Sequence, residues 1–247
     1  MTSFQRAVKF AAMALAIVLT VSIISGLIGI VALFAGLSNS DTVADNTKFY
    51  AVSKEINSIA IEIGAANLTV QKGDALSVES NLKKLDVSEK NGILKIREKR
   101  LFGFSRSNAV LTVTVPEDIF IENLSIETGA GSITLEELNI TREASIESGI
   151  AKISVNGGTY NNLNVDSGIG GLVFNGRVTG ECEINSGIGE SDITVLGKKS
   201  DYSIDVEKGI GNITVDGEKI SELKTNDGKV GSIEINGGIG TINLNFK

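Results

Sequence analysis

The 247 residues contain no histidine, no tryptophan, one cysteine and one proline. Without imidazole there is no Ser/His/Asp or Cys/His relay, no His-ligated zinc and no haem histidine. One cysteine can form neither an intrachain disulfide nor a thiolate metal site, so packing and backbone hydrogen bonds must hold the fold. Aromatic residues make up 5% of the chain, which leaves an aliphatic core. A single proline beside 28 glycines points to many tight turns between short strands. No catalytic residue, metal site or cofactor site emerges from this inventory, and the chain reads as a non-enzyme.

Charge divides the chain into three parts. Residues 1–40 carry Arg6 and Lys9 and no acid, residues 41–120 carry 11 bases and 11 acids, and residues 121–247 carry 10 bases and 19 acids. The acidic C-terminal half repels phosphate backbones, which excludes nucleic acid as a partner. Between Phe10 and Leu37 there is no charge over 28 residues dense in Ala, Ile, Leu and Val. About 20 apolar residues cross a bilayer core, so this run predicts one transmembrane helix. Arg6 and Lys9 precede it and Asp41 and Asp45 follow it, so the N-terminus is expected in the cytoplasm and the remainder outside. A cleaved signal peptide is the competing reading, but its apolar region is usually about 7–15 residues and no Ala-x-Ala site follows this run.

Beyond the apolar run a repeat appears. Ser125-Ile126-Glu127-Thr128-Gly129-Ala130-Gly131 recurs as Ser145-Ile146-Glu147-Ser148-Gly149-Ile150-Ala151, then as Ser167-Gly168-Ile169-Gly170 and Ser186-Gly187-Ile188-Gly189. It returns at Lys208-Gly209-Ile210-Gly211, Asp227-Gly228 and Gly237-Gly238-Ile239-Gly240. Anchor glycines lie 20, 19, 19, 22, 19 and 10 residues apart, the 22 being ascribed to a bulge at Glu190-Ser191-Asp192. A period near 20 with strands on both sides predicts a parallel β-helix, a solenoid whose coils stack like residues on like. Five residues before the glycine stand Leu124, Ala144, Leu163, Cys182, Ile204 and Leu223; three before it stand Ile126, Ile146, Val165, Ile184, Val206 and Thr225. One after it come Ala130, Ile150, Ile169, Ile188, Ile210 and Ile239. All three rows are expected to face inward, with Cys182 a buried small hydrophobe. Ile59, Ile61 and Gly64 form an earlier unit, followed by shorter β patterns that end in Thr112-Val113-Thr114-Val115-Pro116.

That order of features, an N-terminal strand unit, a β insertion closing on Thr112–Pro116 and Ser-Gly-Ile-Gly units thereafter, resembles the bacterial putative-adhesin β-strand-repeat family, a domain of unknown function. The resemblance covers about residues 49–247. It implies a β-helical ectodomain on a membrane-anchored envelope protein, with some members tied to envelope stress responses, and it supplies no catalytic residues. The expected organisation is therefore cytoplasmic residues 1–9, a transmembrane helix over 10–37, a linker over 38–48, an N-terminal β unit with a hairpin insertion over 49–120, and the Gly-rich repeat over 121–247.

Three surface features are candidates for function. Lys95, Arg97, Lys99, Arg100, Phe102, Phe104 and Arg106 form the one basic cluster, with aromatics suited to membrane contact, against the plainer reading of a solvated hairpin tip. Glu127, Glu147 and Asp166 would form an acidic row continued by Asn185, Glu207, Asn226 and Asn236. It reads as a solvated edge rather than a cation ladder, because the calcium repeat Gly-Gly-x-Gly-x-Asp is missing. Thr128, Ser148, Ser167 and Ser186 form a hydroxyl row expected to cap turn N–H groups. Expected partners are the membrane, envelope proteins or cell-surface polysaccharide. A surface adhesin is the alternative, and a β-helix polysaccharide lyase is disfavoured because short turns leave no loop to wall a cleft. Adhesion through an open end of the stack would use the last strand, Thr241–Phe246.

Overall fold

The computed structural model describes residues 43–53, 55–99 and 109–247. The expected helix over 10–37 lies outside them, and among the described residues no helix is long and apolar enough to cross a membrane. Fifteen strands join in one sheet. They are β1 (Val43–Tyr50), β2 (Ser58–Gly73), β3 (Ser77–Leu82), β4 (Leu85–Lys90), β5 (Ile93–Glu98), β6 (Val110–Pro116), β7 (Ile121–Glu136), β8 (Asn139–Ile169), β9 (Leu172–Val178), β10 (Glu181–Ile188), β11 (Ser191–Val195), β12 (Tyr202–Val215), β13 (Glu218–Ile220), β14 (Leu223–Lys224) and β15 (Gly231–Phe246). A single 3₁₀ turn, Lys199–Asp201, precedes β12.

Alternation of Ile, Leu and Val with polar residues makes each segment a strand with one buried face, and identity between repeats sets the register. Parallel partners place Ile59 opposite Leu124, Leu124 opposite Ala144, and Leu163 opposite Cys182. Ile61, Ile126, Ile146, Val165 and Ile184 form the neighbouring buried column. These two columns match the sequence reading at every repeat as far as β11. Beyond the corner glycine, Leu68, Ile133, Ile153 and Leu172 form the inward column of the second flank. Tyr160, Phe174 and Tyr202 are buried among the aliphatic residues, with the Tyr160 and Phe174 rings 6.0 Å apart.

The order of coils departs from sequence order. β15 pairs in parallel with β10 and β11 on one side and with β12 on the other, so it lies between them. Ile233 sits opposite both Cys182 and Ile204, and Ile235 opposite both Ile184 and Val206. They take the two column places that the sequence reading gave to Leu223 and Thr225. Leu223 instead belongs to β14, which pairs antiparallel with β12, so Asp227-Gly228 marks no coil corner. Thr241–Phe246 is likewise no open edge, since Ile242 faces Ser191 on one side and Ile213 on the other. The 22-residue interval contains no bulge at Glu190–Asp192. Ser191 pairs opposite Leu172 in regular register, and the extra length lies at Leu196–Asp201, where the chain leaves room for β15.

The insertion is a coil in its own right. β5 and β6 both pair in parallel with β2, β5 with its first flank and β6 with its second, and no pairing joins β5 to β6. The hairpin is instead β4–β5, turned at Asn91 and Gly92, both with positive φ. The connection from β5 to β6 lies outside the described residues. Antiparallel strands cover the parallel stack at its ends: β3 on β6 with β1 outside it, and β13 and β14 on β12. Covered ends blunt the pairing of one stack with another.

Cys182 is buried in its column, and burial pushes its thiol up to about 12. We expect Ellman's reagent at mildly alkaline pH to modify it only as fast as the protein unfolds. Immediate reaction of the native protein would place this column outside the core.

Candidate functional site

The corner glycines are required by close backbone approach. A Cβ built on Gly149 would lie 2.7 Å from the Gly129 carbonyl oxygen, one on Gly168 2.4 Å from that of Gly149, and one on Gly187 2.3 Å from that of Gly168. With no side chains, these residues form the floor of a groove of about 500 Å³ along the stack. One wall is the row two residues earlier: Glu127, Glu147, Asp166, Asn185 and Asn236. Five coils at about 4.8 Å spacing make it about 19 Å long. Short turns alone therefore do open a cleft, because its floor is bare backbone rather than a loop.

Hydrogen bonds run along the wall. Asn236 Nδ2 donates to Asn185 Oδ1 (3.0 Å), and Asn185 Nδ2 donates to Asp166 Oδ1 (2.9 Å). The row is amide-rich at one end and anionic at the other. Among the described residues no basic side chain pairs with Glu127, Glu147 or Asp166, and no group of three or more carboxylates is placed to hold a metal ion. Between wall and floor, Thr128, Ser148, Ser167 and Ser186 also line the groove, Thr128 and Ser167 being buried. Thr128 Oγ1 donates to the Ala130 carbonyl (3.3 Å) and the Ser148 and Ser167 hydroxyls are 3.5 Å apart, so the hydroxyl row satisfies carbonyls and itself rather than turn N–H groups.

On the far side of the floor lies the column that alternation placed inside. Ile150 is 47% exposed, Ile210 58% and Ile239 38%, with Ile169 and Ile188 half-buried between them. Parity reverses at the corner. Gly170, Gly189, Gly211 and Gly240 take φ of +145 to +153°, and at the same position Ala66 and Ala151 point inward. The isoleucine one residue earlier is thereby turned to the surface.

The basic cluster adjoins this corner. Arg97 stands opposite Glu62, which continues the acidic row onto the coil before Glu127. Lys95 Nζ and Arg97 Nε each lie 2.7 Å from Glu62, and these two partners hold its carboxyl below the usual carboxylate range. Lys99 pairs with Asp86 at 3.3 Å. Arg100, Phe102, Phe104 and Arg106 lie outside the described residues. The three described cations of the proposed membrane loop are thus engaged in ion pairs within the fold.

A family model described as Toastrack DUF4097 matches residues 56–247. Among solved structures, a "putative cell adhesion protein" from Clostridium sporogenes is 17% identical with a TM-score of 0.44, covering 82% of this chain and 99% of that one. A "putative adhesin" from Bacteroides fragilis is 14% identical with a TM-score of 0.49, covering 83% and 98%. A "putative lipid binding protein" from Parabacteroides distasonis is 16% identical with a TM-score of 0.32, covering 81% and 96%. No curated protein matches the chain.

Proposed function

We propose, from the premise that this chain belongs to the Toastrack DUF4097 family, that it is a non-enzymatic binding module on the outer side of a cell membrane. In this reading a β-solenoid is tethered by the apolar run Phe10–Leu37 and contacts other components of the envelope, within the stress response that the family resemblance implies. The observation that carries it is the corner, where a groove floored by glycine backbone and walled by a carboxylate and amide row lies next to an exposed column of isoleucines. Rigid columns at fixed spacing present many weak contacts to one extended partner, which is how solenoids bind. Acidic residues after the apolar run and basic ones before it support the outward orientation. Direct membrane contact by the basic loop would fall to Arg100, Phe102, Phe104 and Arg106, since Lys95 and Arg97 neutralise Glu62.

The test is fractionation of cells expressing the full chain with an epitope after Lys247. The chain is expected to stay in membranes washed with alkaline carbonate, and protease added to intact cells is expected to remove the epitope. A chain recovered in the soluble fraction, or an epitope protected until lysis, would sink the reading.

A further inference from the structure

The isoleucine column is an ordered apolar row that the fold leaves uncovered, with Ile150, Ile210 and Ile239 exposed. In register along the stack stand Ala130, Ile150, Ile169, Ile188, Ile239 and Ile210. Spaced at about 4.8 Å, the five isoleucines form a ridge about 19 Å long, as long as the groove beside it. A contiguous exposed apolar strip of this kind marks an interaction surface. Its charge surroundings define the partner. Three residues away across the glycine corner, at most about 10 Å along the chain, runs the wall that begins with Glu127, Glu147 and Asp166.

The fold itself shows what satisfies this row. Glu62, its first carboxylate, is held by a lysine and an arginine from the adjoining strand, and the row then continues through three carboxylates without such partners. A ligand supplying basic groups on one flank and apolar groups on the other would extend the same arrangement over the middle coils. We propose that this corner docks a cationic amphipathic helical peptide lying along the stack axis. This deepens the binding-module reading by naming the partner's chemistry, and rests on it.

Geometry favours a helix over an extended chain. Successive turns of an α-helix rise about 5.4 Å, near the 4.8 Å between coils, whereas same-face residues of an extended strand recur only every 6.6 Å or so. About 13 helical residues span 19 Å, and a helix is about 10 Å across, wide enough to touch both columns at once. Docking of an apolar helix face into a groove with i, i+4 anchors is an established mode of peptide recognition. An anionic bilayer surface is the poorer fit, because the carboxylates facing it would repel its headgroups.

The test is fluorescence anisotropy with the full chain in zwitterionic phosphatidylcholine nanodiscs. The probe is a labelled 14-residue peptide with lysines on one helical face and leucines on the other. Controls are a scrambled peptide of the same composition, a peptide with glutamate for every lysine, and empty nanodiscs. Saturable binding of the patterned peptide alone is expected. The triple variant E127Q/E147Q/D166N should weaken it at least about tenfold and flatten its salt dependence. The variant I150S/I239S should weaken it about tenfold with the salt dependence kept. Circular dichroism checks that each variant is folded, and Ile210→Ser at the most exposed rung replaces the double variant if that one is not. Equal affinity of the wild-type and triple-variant chains, equal binding of the scrambled peptide, or binding to empty nanodiscs would each overturn the proposal. If the chain stays soluble and does not enter nanodiscs, the membrane reading has failed. The same titration on the soluble chain then decides the peptide proposal by itself.

Discussion

Replacement of Gly189 by alanine is expected to cost about 3–4 kcal/mol, a large share of the roughly 5–15 kcal/mol that holds a typical domain folded. Gly189 has φ +153°, and a Cβ there would lie 1.6 Å from the Gly170 carbonyl oxygen. The Gly170 carbonyl belongs to the neighbouring coil, which is packed as tightly on the one beyond it: a Cβ on Gly170 would lie 1.7 Å from the Ala151 carbonyl oxygen. Relief would require the Gly189 backbone to leave positive φ for the conformation in which Ala66 and Ala151 point inward at the same position, against its close contacts with Gly170 and Gly240 on the neighbouring coils. Gly217 is the control. It also has positive φ, +81°, but nothing lies within 4 Å of its would-be Cβ. Alanine there should cost only the backbone preference of about 1–2 kcal/mol. Urea denaturation of both variants, followed by circular dichroism, makes the comparison. If the two costs agree within about 1 kcal/mol, backbone contact between coils is not what requires the glycine.

Deletion of residues 231–247 is expected to do more than shorten the stack by a coil. β15 buries Ile233, Ile235, Ile242 and Leu244. At about 1.5–3 kcal/mol for each buried side chain, their loss is comparable to the whole stability of a typical domain. Its removal also takes from β12 the one strand that pairs it in parallel with the other coils, leaving the buried bond from the Tyr202 hydroxyl to the Val178 carbonyl (3.0 Å) as a direct link. Limited proteolysis should then cut rapidly after Leu196, and the remaining coils should melt far below the parent. A truncated chain melting within a few degrees of the parent would mean that β12 docks directly on β10.

Much of this fold could be read from the sequence, for a physical reason. Period-two alternation and repetition near 20 residues fix which residues are buried at five and three places before the corner, from Leu124 and Ile126 to Cys182 and Ile184. They do not fix which coil lies next to which. Ile204 and Val206 present to a neighbour nearly the same side chains as Ile233 and Ile235, so pattern alone cannot choose between them. The irregular spacings of 22 and 10 residues were the available signal. The isoleucine column was misplaced because alternation was counted straight through the corner. An odd step along the chain, as from Ile146 to Ile153, separates the inward columns of the two flanks, so parity reverses there whether the corner holds a glycine at φ near +150° or Ala151. The acidic and hydroxyl rows were visible as rows. The groove beside them was not, because its floor consists of atoms common to every residue.

The position of β15 also puts a clock on the making of this protein. A chain synthesised from its N-terminus can stack coils in order as far as β11, but β12 must wait for a strand made later. From Val215 to Phe246 is about 30 residues, or roughly 2–6 s at 5–20 residues per second. For that interval Ile204, Val206 and Ile213 have no neighbouring coil. A second nascent chain could fill the vacancy with its own β15, so swapped dimers are the misassembly this topology invites, more so when synthesis is fast and chains are crowded.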